Sequence, residues 1–384
     1  MTRYLLILFV LVSAGCNSRA QDAYMDASAE AKEKTYLGGE AYKVKTYKQN
    51  FKAEKPKNII LMIGDGMGVS QVFAGLTANH GNLFLSNFKH IGFSKTQSAD
   101  DYITDSAAGG TAISCGVKTY NGAIGVNTDT VAVKTILEEA EEVGLSTGLV
   151  STSAITHATP ASFIAHEPSR GMYEAIAADF LNTDIDVFIG GGNDHFTKRQ
   201  DKRNLLSELE AKDYQVEHDM DKIAMVKSGK LVGLTAGIHN GRVAERGDML
   251  PVATNTALNI LDNNDKGFFL MVEGSQVDWG GHANSSIYIV EDMLDFDKTI
   301  GKALDFAAND GETLIVVTAD HETGGLAIAG GDMNSGMVKG EFTSKGHTGV
   351  MVPVFAYGPG AEEFTGIMDN TDLYKKMKSL LLGQ

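Results

Sequence analysis

A serine lies between an acidic residue and a run of small residues at positions 104–112 (TDSAAGGTA). Small side chains let a backbone approach a ligand closely, and a helix starting here would aim its N-terminal amides at an anion. The pattern therefore fits a serine, Ser106, that attacks a phosphoryl group or is held beside one. It also fits an ordinary helix N-cap, because Asp or Ser before an Ala-rich helix is a common start signal.

Acidic and histidine residues follow three apolar runs. Runs 58–63 (NIILMI), 268–272 (FFLMV) and 314–318 (LIVVT) are followed respectively by Asp65, by Glu273 and Asp278, and by Asp320 and His321. Continuous apolar runs are typical of strands buried on both faces of a parallel sheet, and ligands bind at the carboxyl ends of such strands. Four carboxylates and a histidine should therefore converge on one sheet edge. Their mutual repulsion requires cations between them.

The residue types in these blocks favour zinc. Asp278 and His282 are four residues apart and share one helical face. With Asp320, His321 and His347 they form the mixed carboxylate and imidazole set that zinc prefers. For any single block, a hydrogen-bonded turn at a strand end is the commoner explanation, but all blocks together indicate a metal centre. We expect the remaining candidates to be ordinary surface histidines: His80, His195, His218 and His239.

Strands that alternate with helical patterns predict an α/β fold with a large, mostly parallel central sheet between helices. Further strands are predicted at 146–151 and 187–189, and helices at 132–143, 172–181, 289–308 and 372–382. The chain has neither an internal repeat nor a linker rich in proline or serine. We therefore expect one catalytic domain over 56–384, with a polar, glycine-rich insertion or lid at about 326–346.

The N-terminus has the pattern of an export signal. Arg3 precedes the apolar run 4–12, which is too short to span a membrane, and the residues 13–16 (SAGC) follow. We predict a lipoprotein-type signal peptide over 1–15, a lipid anchor at Cys16 and a tether with one early helix over 16–55. Plain secretion with cleavage nearby is the alternative. Either route places the protein in the periplasm or cell envelope. If Cys16 is lipidated, Cys115 has no disulfide partner and should be buried.

The overall charge excludes some partners. The 384-residue chain carries a net charge of −16, which argues against nucleic acid or an anionic membrane surface, because both require basic patches. The 43 glycines and only 6 prolines loosen the loops and indicate a flexible, cold-adapted chain.

Taken together, several blocks resemble the alkaline phosphatase family. The matching segments are 64–68 (GDGMG), 104–107 (TDSA), 115–122 (CGVKTYNG), 157–161 (HATPA), 273–282, 320–325 (DHETGG) and His347. They run in family order from about Lys57 to Pro359, and the nearest likeness is to the compact, cold-active alkaline phosphatases of Antarctic marine bacteria. The resemblance implies hydrolysis of phosphate monoesters at alkaline pH through a phosphoserine, with two Zn²⁺, one Mg²⁺ and a homodimeric state.

The resemblance also implies a role for each matching residue. Ser106 would be the nucleophile, and Arg170 would bind two phosphate oxygens while Asp105 orients it. The implied cation ligands are Asp278, His282 and His347 for one zinc; Asp65, Asp320 and His321 for the other; and Asp65, Thr159 and Glu273 for magnesium. General chemistry supports these roles. A metal activates a serine hydroxyl, and two zincs roughly 4 Å apart stabilise the entering and leaving oxygens of a displacement. A set of ligands made only of oxygen suits magnesium.

Two positions depart from the well-studied enteric bacterial enzyme, which has Asp where His157 stands and Lys where Trp279 stands. A nitrogen from His157 would make the third site less selective for magnesium or admit zinc. Trp279 cannot hold phosphate as an ammonium does, which would speed product release. In the alternative reading, His157 only hydrogen-bonds a ligand carboxylate and Trp279 only walls the cleft.

Two other functions compete with a phosphomonoesterase. A phosphodiesterase, sulfatase or phosphonate hydrolase would share the zinc ligands, but such relatives typically use Thr or a modified Cys and lack the magnesium ligands and the arginine. A surface lipoprotein that binds metal or phosphate without turnover has no use for a serine at position 106. We therefore predict an enzyme that acts on small phosphate monoesters and releases an alcohol and inorganic phosphate.

Overall fold

The computed structural model of the protein describes residues 34–383. The strands are β1 Thr35–Tyr36, β2 Asn58–Gly64, β3 His90–Lys95, β4 Ser146–Ala154, β5 Val187–Gly191, β6 Gln215–Glu217, β7 Leu231–Leu234, β8 Phe268–Gly274, β9 Thr313–Thr318, β10 Glu322–Thr323, β11 Leu326–Asp332, β12 Met337–Phe342, β13 His347–Thr348, β14 Val352–Tyr357 and β15 Gly366–Asp369. The helices are α1 Val69–Ala78, α2 Ser106–Cys115, α3 Ile136–Glu142, α4 Ala158–Ala161, α5 Tyr173–Asp179, α6 Asn193–Thr197, α7 Leu205–Glu210, α8 Met220–Met225, α9 Val243–Arg246, α10 Met249–Leu261, α11 Gln276–His282, α12 Ser286–Asp310 and α13 Asn370–Leu382. Short 3₁₀ turns occur at Phe84–Asn87 and Ala361–Phe364.

The central sheet has ten strands in the order β15-β3-β14-β9-β2-β8-β4-β5-β7-β6. Strands β9, β2, β8, β4, β5, β7 and β6 are parallel neighbours, whereas β14 runs antiparallel to both β9 and β3. The predicted α/β fold with a large, mostly parallel sheet is confirmed. The four central strands β9, β2, β8 and β4 therefore end at the same edge.

The core lies on both faces of this sheet. Along β2, Ile59, Leu61 and Ile63 point to one hydrophobic cluster, and Ile60 and Met62 point to the other. Helices α2, α3 and α13 contribute to the first cluster, and α10 and α12 contribute to the second. Each fully buried aliphatic side chain contributes roughly 1.5–3 kcal/mol relative to an exposed one. Continuous burial of this kind explains why the strands read as uninterrupted apolar runs.

The predicted strands are confirmed, and most predicted helices are close to the observed ones. The helix expected at 132–143 begins only at Ile136, so its first part was wrong. Thr135 and Glu138 form a capping box that starts the helix, and Ala132 instead pairs with Val126 in an isolated β-bridge. The apolar residues before Thr135 therefore belong to a loop. Cys115 is buried, as expected.

The predicted insertion at about 326–346 contains a hairpin of β11 and β12, to which β1 adds a third antiparallel strand. Residues 34–55 contain β1 and no helix. Tyr42 and Tyr47 donate their hydroxyls to Asp297 and Asp305 of α12, at 2.5 and 2.8 Å, so this part of the chain is packed on the domain. The predicted signal peptide 1–15, Cys16 and residues 17–33 lie outside the described residues. Within residues 34–383, no helix has both the length and the apolar composition needed to cross a membrane.

Candidate active site

Four adjacent strands bring the predicted site residues to one edge of the sheet. Asp320, Asp65 and Glu273 lie at the carboxyl ends of β9, β2 and β8, and the segment after β4 contains residues 157–159. Gly66 turns the chain away from β2 with φ +71°, and a Cβ atom there would lie 2.7 Å from the Cα of Asp278. Glycine is therefore required for the turn after β2 to pass so close to α11.

The first donor group consists of Asp278, His282 and His347, whose ligand atoms lie within 4.8 Å of one another. Nδ1 of His282 donates to the Lys345 carbonyl at 2.5 Å, and Nδ1 of His347 donates to the Thr104 carbonyl at 2.8 Å. Each ring thus turns Nε2 toward Asp278, at 3.3 and 3.6 Å. Carbonyls that fix the tautomer in this way are typical of metal-binding histidines.

Asp278 and His282 strongly shift each other's pKa. Burial would raise the pKa of Asp278, but the neighbouring His282 and His347 hold it well below its ordinary value. Asp278 in turn raises the pKa of His282 to about 9. The carboxylate is therefore available in its ionised form, as a metal ligand must be.

The second group, Asp65, Asp320 and His321, is completely buried. Nε2 of His321 lies 3.5 Å from Asp65 Oδ1 and 3.2 Å from Asp320 Oδ2. Burial and the repulsion between the carboxylates raise the pKa of Asp65 well above its usual value and that of Asp320 to about 6. Burial lowers the pKa of His321. Two carboxylates that repel each other and a neutral imidazole form a set that a dication would stabilise.

The third group combines Asp65, Glu273 and His157, with the hydroxyl of Thr159 in the same segment. Ser151 and Ser275 donate to Oε2 of Glu273 at 2.6 and 2.7 Å. Within residues 34–383, Glu273 Oε1 and Thr159 Oγ1 are buried without a hydrogen-bond partner. Buried oxygen atoms rarely lack partners, so these two orphaned acceptors fit a hard cation.

Ser106 is the first residue of α2 and lies beside the second donor group. Its Oγ is 3.2 Å from His321 Nε2 and 3.4 Å from Asp65 Oδ2. Asp105 is the N-cap, because its carboxylate accepts the Ala108 amide at 2.9 Å. Asp105 therefore caps the helix, and the Ser106 hydroxyl faces Asp65 and His321.

Arg170 approaches the same point from another element. Its Nη1 donates to Asp105 Oδ2 at 2.9 Å, and its Nη2 lies 3.2 Å from His157 Nε2. Arginine only donates, so His157 Nε2 accepts, and burial together with Arg170 lowers the pKa of this imidazole well below its usual value. Burial opposes ionisation of Asp105, but Arg170 holds the pKa of that carboxyl below its ordinary value.

Two histidines near this site were missed. His195 is buried, with Nδ1 2.6 Å from Thr156 Oγ1, and the half-buried His239 accepts the Ala154 amide at 3.0 Å. The ring of His239 lies 5.0 Å from Trp279 and 5.7 Å from His157. The expected surface positions for His195 and His239 were wrong. Their only sequence signal is that they follow the apolar runs that form β5 and β7.

Comparison with known proteins gives a consistent result. The family model described as alkaline phosphatase matches residues 56–341 and 336–382. Alkaline phosphatase 3 of Bacillus subtilis (strain 168) is 33% identical over 467 aligned positions, which cover 97% of this chain and 96% of the relative. The alkaline phosphatase from the Antarctic bacterium TAB5 is 43% identical with a TM-score of 0.81, covering 87% of this chain and 99% of that chain. A histidine-to-aspartate mutant of the TAB5 enzyme, solved with Mg bound in its M3 site, is 42% identical, with the same TM-score and coverage.

Proposed function

This chain belongs to the alkaline phosphatase family, and from that premise we propose that Ser106 is the nucleophile with which it hydrolyses phosphate monoesters through a phosphoserine. The observation that carries the assignment is the position of Ser106 Oγ, 3.2 Å from His321 and 3.4 Å from Asp65 at the start of α2. A hydroxyl at this point is surrounded by candidate metal ligands. The N-terminal amides of this helix would favour an anion such as phosphate beside Ser106.

The enzyme's cofactors are two zinc ions and one magnesium ion. We assign their ligands to the three donor groups: Asp278, His282 and His347; Asp65, Asp320 and His321; and Asp65, Thr159 and Glu273. When bound, the zinc pair lowers the pKa of the attacking hydroxyl and stabilises charge on the entering and leaving oxygens. The orphaned oxygens of Glu273 and Thr159 support magnesium at the third group.

The chain's own residues carry two displacements at phosphorus. In the first displacement, the proton of Ser106 Oγ passes to solvent, Oγ bonds to phosphorus, the ester P–O bond breaks, and the departing alkoxide takes a proton from water. In the second displacement, a water oxygen bonds to phosphorus, the P–Oγ bond breaks, and a proton from that water returns to Ser106 Oγ as inorganic phosphate departs. Arg170 binds two phosphate oxygens in both steps, and Asp105 holds its guanidinium in place. Two in-line displacements retain configuration at phosphorus, so inversion in a chiral-phosphate assay would overturn the phosphoserine.

The decisive experiment follows p-nitrophenol release from p-nitrophenyl phosphate and from bis(p-nitrophenyl) phosphate at alkaline pH. We expect monoester rates far above diester rates, loss of activity on chelation, and recovery with zinc and magnesium together. Acid quenching should trap a phosphoserine that Ser106→Ala abolishes and that Ser207→Ala, an exposed serine on α7, retains. A preference for the diester would overturn the roles of Arg170 and the magnesium ligands. Absence of turnover of either ester by the metal-loaded protein would favour a lipoprotein that binds metal or phosphate without catalysis.

We also propose export and lipid attachment at Cys16. The support is the sequence itself: Arg3, the apolar run 4–12 and the small residues before Cys16. Cells that express the full chain should carry it in the membrane fraction and incorporate labelled fatty acid into it. Cys16→Ser should release the protein in soluble form and abolish the label. Retention of both in the variant would exclude this anchor.

A homodimer is the proposed assembly. A groove of about 420 Å³ beside the site is lined by the exposed apolar side chains of Val69, Val350 and Met351. The exposed Tyr102 packs next to them, against Gly349. Apolar patches of this kind mark interaction surfaces. The full chain should run at twice its 41.0 kDa mass in light scattering, and Met351→Glu should yield monomers. Met225→Glu, an exposed methionine on α8, should remain dimeric.

Cold activity is a further part of the proposal. The 43 glycines and 6 prolines support it, because glycine adds backbone freedom and scarce proline leaves it unrestricted. We expect rapid heat inactivation together with high activity near 10 °C. An enzyme that survives prolonged heating would contradict this proposal.

A further inference from the structure

A cavity of about 560 Å³ is lined by residues that follow Arg170 in the chain. Its lining includes Gly171, the next residue in the chain, followed by Met172, Tyr173 and Glu174. The opposite side comes from α6 and from Ile238. The volume falls in the roughly 300–1,000 Å³ range of pockets that bind small molecules. None of the nucleophile, arginine or metal-ligand roles assigned above uses this cavity.

The inner wall of the cavity is a fixed pair of flat rings. Tyr173 and His195 are stacked, with ring centroids 4.8 Å apart and an angle of 19° between the planes. His195 is buried, and its Nδ1 lies 2.6 Å from Thr156 Oγ1, so this hydrogen bond fixes the orientation of the imidazole on which Tyr173 stacks. At the mouth, Met172 is 40% exposed and Ile238 is 37% exposed. Rigid aromatic rings beside exposed apolar side chains form a surface suited to another flat ring.

The charges around the cavity argue against a second phosphate site. The ammonium of Lys198 is paired with Asp194 at 2.9 Å, and Glu174 adds another carboxylate to the lining. An anion would therefore meet two carboxylates and one already paired cation. A neutral group with hydroxyls would instead find both hydrogen-bond acceptors and a donor. A phosphate would therefore lie outside the cavity lining, at the guanidinium of Arg170.

We propose that this cavity binds the alcohol portion of phosphate monoesters whose alcohol carries a flat ring, while Arg170 holds the phosphate. The inference rests on the proposed role of Arg170 and adds the substrate class: aryl and nucleoside monoesters are preferred over short alkyl esters. Tyr173 and Ile238 determine this preference, because one offers a ring face and the other closes the apolar mouth. Neither residue touches the phosphoryl group in this scheme.

The test compares two substrates of the metal-loaded enzyme, adenosine 5′-monophosphate and glycerol 2-phosphate. Tyr173→Ala should lower kcat/KM for the nucleotide about 3- to 10-fold, the value of one aromatic contact. It should leave kcat/KM for glycerol 2-phosphate and the inhibition constant of inorganic phosphate within about twofold. Tyr173→Phe should restore nucleotide turnover, since the ring is kept. Met225→Ala, which removes an exposed methionine far along the chain on α8, should change neither substrate.

Ile238→Glu provides an independent probe on the exposed rim, which keeps the test valid if Tyr173→Ala disturbs folding. It should weaken the nucleotide and spare glycerol 2-phosphate. Equal losses for both substrates, together with weaker phosphate inhibition, would mean that Tyr173 acts only through Arg170. Unchanged nucleotide kinetics in both variants would mean that the cavity does not bind the substrate. Either result overturns the proposal. A failure of the proposed function itself would look different, because the parent enzyme would then turn over neither ester.

Discussion

Asp105 joins the arginine to the helix that begins with the serine. Its Oδ2 accepts Arg170 Nη1 at 2.9 Å, while its Oδ1 accepts the Ala108 amide at 2.9 Å and caps α2. One carboxylate therefore fixes the position of the guanidinium, to which we assign phosphate binding, relative to Ser106. Such positioning matters because a displaced group loses much of the advantage of a preorganised site.

Asp105→Ala should lower kcat/KM for a monoester by about 10- to 100-fold, because it removes a charge-assisted hydrogen bond to Arg170 worth about 1.5–3 kcal/mol. It should also destabilise the fold by about 1 kcal/mol through loss of the cap. Asp105→Asn keeps one acceptor oxygen, which can still cap the helix, but turns an NH2 donor toward Arg170; its stability should therefore approach that of the parent, while its kinetics should resemble those of Asp105→Ala. Steady-state kinetics, phosphate inhibition and thermal unfolding measure the three effects. Unaltered phosphate inhibition in Asp105→Ala would show that Arg170 does not depend on this contact.

His157→Asp should shift the third donor group toward magnesium and away from zinc, because it adds a carboxylate near Asp65 and Glu273. Metal-free protein equilibrated with both ions should hold more magnesium in the variant by elemental analysis. His157→Asn is the matched control, since it supplies a neutral side chain in place of the added charge. Equal metal contents in all three proteins would mean that His157 serves only to accept the hydrogen bond from Arg170.

The sheet and the ligand blocks were predictable because both depend on local patterns. Runs such as 58–63 are apolar without interruption since β2 is buried on both faces, and parallel strands bring their carboxyl ends together. The start of α3 was not predictable from apolar spacing alone. The capping box of Thr135 and Glu138 begins the helix, and the apolar residues before it lie in a loop.

The packing of His239 and Trp279 around His157 could not be predicted, for a different physical reason. His239 and Trp279 are 40 positions apart in the sequence, and His195 lies on a separate short helix, so no spacing rule relates them. Only the order of β4, β5 and β7 in the sheet brings them together. The proposed zinc ligands, in contrast, are predictable from residue type and from the i, i+4 spacing of Asp278 and His282.

Trp279→Lys should strengthen phosphate inhibition by about threefold or more, because an ammonium near the site retains the anion where an indole does not. The ring of Trp279 lies 6.5 Å from that of His157, whose Nε2 accepts from Arg170. If product release limits turnover, kcat should fall in parallel. Trp279→Met, which removes the ring without adding charge, is the control. Phosphate inhibition that is the same in the lysine variant as in the parent would contradict a role in product release.

The pair His166 and Glu138 predicts a stability effect that depends on pH. His166 Nε2 lies 3.0 Å from Glu138 Oε1, and Nδ1 donates to the Gly125 carbonyl at 2.7 Å. The hydrogen bond to Glu138 raises the pKa of His166 above 6.5; burial opposes ionisation of Glu138, but His166 holds its pKa below 4.5. The histidine's contribution is complete below pH 6.5 and is lost as the pH rises through its raised pKa. The glutamate's contribution is present above pH 4.5 and is lost on acidification.

His166→Gln should therefore destabilise the enzyme by about 0.5–1 kcal/mol at pH 6 and by clearly less at pH 9, where the imidazole is neutral and the ionic attraction is absent. Urea unfolding of the metal-loaded enzyme at the two pH values measures the difference. His218→Gln is the matched control, because Nδ1 of His218 donates to a backbone carbonyl, that of Leu234, at 2.9 Å. A pH dependence seen in His166→Gln and not in His218→Gln would identify the contact with Glu138 as its source. An equal loss at pH 6 and pH 9 for His166→Gln would show that packing and the Gly125 hydrogen bond, rather than charge, account for its contribution.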